Sequence, residues 1–341
     1  MSSNEYQYVL ELFREDNTPV GRAEIVVDWE PAGEWAKFAA LRSGILSDGE
    51  TARVLSIDPV WHSETGEPML EGFRVNLAIN GSSRAATGFT TDYFHRLAVQ
   101  ASTAFVERGK LAKGENVHYV AAAFPQSKND VEQRETSGLQ FTVEEVAPVL
   151  NIKESTLGLF MENSDLMGEA HKEDAPVFIP RQVFEEASAI TRQAGAKETG
   201  GILIGHLRRD PEAAEIFLEV TAQIPARDAE ADLTSLKFTP EVWTEVRAAI
   251  ELRRRGEIML GWWHSHPVRE WCRECPIERQ QKCAMASEFF SAHDRHLHRT
   301  VFPGAHSIAL VANDTATDEV TFSAFGWRRG VIEPRGVYMV R

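Results

Sequence analysis

The run Ile258-Met-Leu-Gly-Trp-Trp263 is apolar from end to end, and Pro267 follows it after His264-Ser265-His266. Such a segment has no polar face to turn to water. As a strand it is stable in the middle of a sheet covered on both faces, and helices are the usual cover. The flanking sequence supplies them. Residues 180–194 read as a helix with Val183, Ala187, Ile190 and Ala194 along one stripe. Thr239-Pro240-Glu241 opens another, with a hydroxyl N-cap, proline at the first position and an acid in the first turn; it stops at Gly256. Further apolar strands are predicted over 200–207, 215–224, 307–313 and 319–327. Helices interleaved with such strands predict an α/β layer domain over residues 176–341.

At 341 residues, two domains are expected. Residues 1–150 read as an α+β N-terminal domain. Its strands are predicted over 6–13, 21–27, 52–60, 72–79 and 117–124, and a helix over 90–108 capped by Thr90 or Thr91. Its histidines, His62, His95 and His118, are scattered and read as structural or surface residues. Residues 151–175 are acidic, carry the small apolar island Leu157–Met161, and read as a linker. No internal repeat is visible.

The chain carries 51 acidic and 36 basic residues, and 28 of the acids with only 15 of the bases fall before Pro176. An acidic surface repels phosphate backbones, so no nucleic-acid partner is expected. The one basic run, Arg253-Arg254-Arg255, ends a helix and complements its dipole. No membrane span or signal peptide is read, which predicts a cytoplasmic protein.

The chemistry concentrates downstream. His264 and His266 are two apart on a strand, so they face the same side and can place two imidazole nitrogens on one cation. Asp294, in Phe290-Ser-Ala-His-Asp294, offers a hard oxygen. Two histidines and a carboxylate leave the fourth tetrahedral position of a zinc ion for water, the pattern of a catalytic site. Glu198, in Glu198-Thr-Gly-Gly201 before a strand, is a carboxylate available as a general base.

Taken together, Glu198-Thr-Gly-Gly-Ile-Leu-Ile-Gly, His264-Ser-His266-Pro and Ser291-x-x-Asp294 resemble the signature of the JAMM (JAB1/MPN/Mov34) metalloproteases, over about residues 176–327. The resemblance implies a cytidine-deaminase-like α/β/α fold and a zinc-dependent isopeptidase or peptidase. Such an enzyme cleaves after the C-terminus of ubiquitin or a ubiquitin-like protein, in deconjugation or precursor maturation. It implies that His264, His266 and Asp294 bind the catalytic zinc, that Glu198 takes the proton of the zinc water, and that Ser291 helps hold the oxyanion. It also points to a bacterial ubiquitin-like conjugation system, with activating and conjugating enzymes as further partners.

The chain departs from the family in one respect. Between His266 and Asp294 lie 27 residues, a much longer separation than the family usually shows. Residues 268–290 thus form an insertion, and it holds every cysteine: Cys272, Cys275 and Cys283. In an expected cytoplasmic protein these are not read as disulfides. They are candidates for a second, structural zinc site, with His293 or His296 as a fourth ligand and His206 an outside choice. His298 shares the helical face of Asp294. Free thiols and a redox role are the alternatives. Three other readings compete for the chain. A zinc deaminase needs His-x-Glu and Pro-Cys-x-x-Cys, which are not here. A thiol protease on Cys272 or Cys283 is separable by alkylation against chelation. A catalytically inactive MPN scaffold is the non-enzyme alternative.

Overall fold

The apolar run at 258–263 lies in a ten-stranded sheet with neighbours on both edges. The computed structural model describes residues 6–62, 68–81, 83–126, 149–227, 230–231, 236–280, 289–315 and 319–341. The chain divides into two units, Met1–Ala40 with Ile45–Pro148, and Leu41–Gly44 with Val149–Arg341.

The first unit contains β1 (Tyr6–Arg14), β2 (Pro19–Ile25), α1 (Glu30–Arg42), β3 (Ala52–Trp61), β4 (Leu70–Ile79), β5 (Ser83–Thr90), α2 (His95–Glu107) and β6 (Val117–Pro125). They form two antiparallel three-stranded sheets, β2-β1-β6 and β3-β4-β5. Its core is aromatic. Trp29, Phe73, Phe89, Tyr93 and Phe94 pack ring on ring, with Phe73 stacked on Phe89 at 4.7 Å.

The second unit runs β7 (Lys153–Glu154), α3 (Leu157–Glu162), β8 (Ser164–Met167), β9 (Val177–Pro180), α4 (Arg181–Ala194), β10 (Gly200–Asp210) and β11 (Glu215–Pro225). It continues with β12 (Glu230–Ala231), β13 (Leu236–Lys237), α5 (Pro240–Arg253), β14 (Ile258–His266), α6 (Val268–Trp271) and α7 (Ile277–Gln280). It ends with α8 (Ala292–Val301), β15 (Ile308–Asp314), β16 (Val320–Arg328), β17 (Val331–Arg335) and β18 (Val337–Val340). The sheet order is β17-β16-β15-β14-β10-β11-β9-β18-β8, with β7 beside β10.

Strand β14 is antiparallel to β10 and parallel to β15. Its alternate side chains point to opposite faces. Trp263 donates to Gln223, which donates to Glu186 on α4. Phe184 of α4 packs on Phe322 of the same face. On the other face Trp262 donates to His298 of α8, and Phe238, just before α5, packs on Trp262. Helices therefore cover both faces, which is why residues 258–263 carry no polar side chain.

Helix α4 buries Val183, Phe184, Ala187 and Thr191 rather than the expected stripe through Ile190 and Ala194. Spacings of four, with Phe184 beside Val183, keep one face against the sheet. The stretch 151–175, read as a linker, supplies β7, α3 and β8 to the second unit; β8 pairs with β18. Its apolar island is α3, whose Phe160 packs on Phe178 and Phe217. Among the described residues no helix is long and apolar enough to cross a membrane.

Candidate metal centre

Two glycines let β10 and β14 approach closely where the site lies. A Cβ on Gly200 would sit 2.3 Å from the Trp263 carbonyl oxygen, and one on Gly201 2.7 Å from the Trp263 indole nitrogen. The register pairs Gly200 with His264. One step on, the Ser265 N–H donates to the Thr199 carbonyl (2.8 Å) and the Thr199 N–H donates to the Ser265 hydroxyl (2.9 Å). The serine between the histidines thus ties down the residue next to Glu198. Glu198 is the next residue, just before β10 begins at Gly200. Glu198 is buried at 5% exposure.

Both histidines are buried, as is Asp294 of α8. His264 Nε2 lies 3.0 Å from His266 Nε2 and 3.4 Å from Asp294 Oδ1; His266 Nε2 lies 3.7 Å from Asp294 Oδ2. Among the described residues this is the one trio of His, Cys, Asp or Glu groups whose ligand atoms all fall within 4.8 Å of one another. A tetrahedral zinc with bonds of about 2.0–2.1 Å has ligand–ligand edges of about 3.3 Å, so the triangle fits one face of such an ion. Two ring nitrogens aimed at each other and at a carboxylate are the donor set that a divalent cation requires.

Aromatic walls hold the rings. Trp262 stacks on His264 at 4.5 Å, and Phe290 lies 6.1 Å from it. Trp271 and Phe289 flank His266 at 5.0 and 5.5 Å. Three of these four rings, Trp271, Phe289 and Phe290, come from the two ends of the 268–290 insertion, so those ends wall the site. Asp294 is fixed by a capping box: the Ser291 N–H donates to its Oδ2 (2.7 Å), and its own N–H donates to the Ser291 hydroxyl (3.0 Å). Burial alone would raise the Asp294 pKa. The charge of His264 and hydrogen bonds from His264, His266 and Ser291 together outweigh it and hold the carboxyl far below the usual range. Burial and the charge of His264 depress His266, against the opposing pull of Asp294.

Asn313 was not read from the sequence. It is fully buried on β15 and in register with His266. Its Oδ1 and the Nδ1 of His266 both lack a hydrogen-bond partner. An imidazole that ligates a metal through Nε2 usually donates its other N–H to such a carbonyl.

Residues 180–270 match the family of prokaryotic homologs of the JAB domain. The JAB-like segment runs from the start of α4 past β14, and so contains Glu198, His264 and His266. A solution structure of protein DSY2949 from Desulfitobacterium hafniense aligns at 20% identity with a TM-score of 0.30, over 47% of this chain and 89% of that one. No curated protein matches in sequence.

The structure also places the remaining sequence-derived residues. Ser291 is the N-cap of α8, its hydroxyl accepting from Asp294. His293 and His296 are exposed, while His298 is buried with Asp294. His206 is buried on β10, six residues on from Gly200. Cys272 is buried and Cys275 half-buried, joined by a Cys275 N–H to Cys272 carbonyl bond of 2.8 Å. Cys283 lies outside the described residues.

Proposed function

We propose that the second unit is a zinc-dependent peptidase or isopeptidase of the JAMM type, in the cytidine-deaminase-like arrangement its motifs imply. It would act after the C-terminus of ubiquitin or a ubiquitin-like protein. The observation that carries this reading is the buried triangle of His264, His266 and Asp294, with the buried Glu198 next in sequence to Thr199, the residue bonded to Ser265. A zinc ion, when bound there, supplies Lewis acidity that acidifies water and polarises an amide carbonyl. The chain supplies the rest. His264, His266 and Asp294 offer Nε2, Nε2 and Oδ1. Glu198 accepts the proton of the attacking water and passes it to the leaving amine, a lysine side chain or an α-amino group. Ser291 accepts from the Asp294 N–H, which leaves its own O–H free to donate to the developing oxyanion. The aromatic walls limit water around the carboxylates.

The acidic N-terminal half suits a partner- or substrate-binding role, and activating and conjugating enzymes of the same system are the partners this reading proposes. Cytoplasmic location belongs to the same proposal. So does a second, structural zinc on Cys272, Cys275 and Cys283, with His293 or His296 completing it; Cys272→Ser then lowers the zinc count by one.

The test is metal analysis and cleavage of a panel of ubiquitin-like fusions by the full chain. Glu198→Gln is expected to keep the catalytic zinc and to lose about a hundredfold or more of the rate. Full activity in that variant overturns the base assignment. A chain that binds no metal beyond a cysteine-held one, and cleaves nothing, is instead a scaffold.

A further inference from the structure

On the face of the sheet opposite the histidines, a cavity of about 310 Å³ lies against β15, β16 and the end of β17. Leu310, one of its walls, is in register with Trp263, whereas His264 is in register with Val311, so cavity and metal cluster look to opposite sides. Its other apolar walls include Phe322 and Val337, and its cationic ones are Arg328 and Arg335.

Arg335 is 5% exposed. Its Nη2 donates to the Ala175 carbonyl, and its Nε has no hydrogen-bond partner. The guanidinium lies over Gly326, where a Cβ would come within 2.8 Å of both its Cδ and its Nη1. The acids nearby serve other arginines. Asp174 takes both Arg328 Nε (2.8 Å) and Nη2 (2.6 Å), and Glu173 is held by Arg329. Glu169 also lines the cavity, exposed at its rim and not paired with Arg335. Among the described residues no carboxylate is within ion-pair distance of Arg335. Burial, reinforced by Arg328 and Arg42 and opposed by Asp174, lowers its pKa to about 10, so it remains cationic at neutral pH. A buried charge without a counterion is costly, and a cavity beside it offers the place for one.

We propose that this cavity is a binding site for a small organic carboxylate, with the carboxylate on Arg335 and the apolar body against Leu310, Phe322 and Val337. Two features select this class. Arg335 is a cation in the cavity wall with no acid of its own, which selects an anion, and a guanidinium is a natural partner for a carboxylate. The walls around it favour an apolar body over a compact, fully hydrated ion.

The test uses the full chain, titrated by calorimetry with benzoate, hexanoate, acetate, inorganic phosphate and the neutral hexanamide. Benzoate or hexanoate is expected to bind saturably, to raise the unfolding temperature, and to shift the side-chain Nε–H resonance of Arg335. Arg335→Gln should weaken binding about tenfold or more. Because that variant also loses the bond to Ala175, Ala324→Leu serves as a second probe: it fills the cavity, keeps Arg335 and should abolish binding in a chain that unfolds no earlier than the wild type. Binding of phosphate or acetate in preference, equal binding of hexanamide, no saturable binding, or binding unchanged in Ala324→Leu each overturns the proposal. Metal content and peptide cleavage are measured separately and bear only on the other face.

Discussion

At the scale of single residues, His298 links the helix that carries Asp294 to the strand that carries the histidines. The Trp262 N–H donates to its Nδ1 at 3.1 Å, so its own proton sits on Nε2, facing the Ser307 hydroxyl at 3.4 Å; that hydroxyl donates to the Phe302 carbonyl. Burial, helped by the charge of Arg335, lowers its pKa from 6.5 to about 3. The folded chain therefore keeps it neutral where the unfolded chain protonates it. The His298 contribution to stability is fully present above about pH 6.5 and is lost with acid, by up to about 1.4 kcal/mol per pH unit, until about pH 3. His298→Gln, whose carbonyl can still accept from Trp262, should flatten that slope in urea titrations between pH 7 and 5; an unchanged slope assigns the loss to other groups. Asn313→Ala should lower zinc affinity about 10- to 100-fold in chelator competition while leaving the unfolding of the metal-free chain nearly unmoved. The clustering of His264, His266 and Asp294 was legible because His-x-His on a strand and a downstream Asp are the residue types that metal sites use. The sequence did not show Asn313, since an asparagine in an apolar strand has no signature until β15 is laid beside β14.

At the scale of elements, α8 explains why Ser-x-x-Asp reads two ways. It is a capping box that would stabilise any helix, and it also sets Asp294 at the cluster. Ser291→Ala should cost about 1 kcal/mol and loosen the metal site, whereas Ser291→Asn preserves the cap. If the hydroxyl assists the reaction, Ser291→Asn should hold zinc and stability yet cleave far more slowly; equal rates would leave the serine a purely structural role. The long central strands of the second unit, β10, β11, β14, β15 and β16, were legible because Val, Ile, Leu and Phe run together in them, whereas the shorter strands were not. Helix α1 was not, since Pro31 and Gly33 weaken its local signal and its burial of Ala32, Trp35 and Ala36 supplies what propensity does not. Strand β5, with the sequence Ser-Arg-Ala-Ala-Thr-Gly-Phe-Thr, is held by its pairing with β4 rather than by β-branched content.

At the scale of the whole molecule, His264, His266 and Asp294 come from chain segments that only folding unites, so on the proposed reading zinc binding and folding would be linked. Zinc at a hundred times its dissociation constant should raise the unfolding free energy by about 2.7 kcal/mol, and Asp294→Ala should erase the increment. The long separation between His266 and Asp294 was plain in the sequence; that Trp271, Phe289 and Phe290 return from it to wall the histidines was not. The indole of Trp262 lies flat on His264 and is tethered at its nitrogen by His298. It is a fluorophore in van der Waals contact with a ligand whose electron density changes on loading. Its emission should therefore shift as the cation enters, giving an optical signal from within the chain that Trp262→Phe would silence among the eight tryptophans.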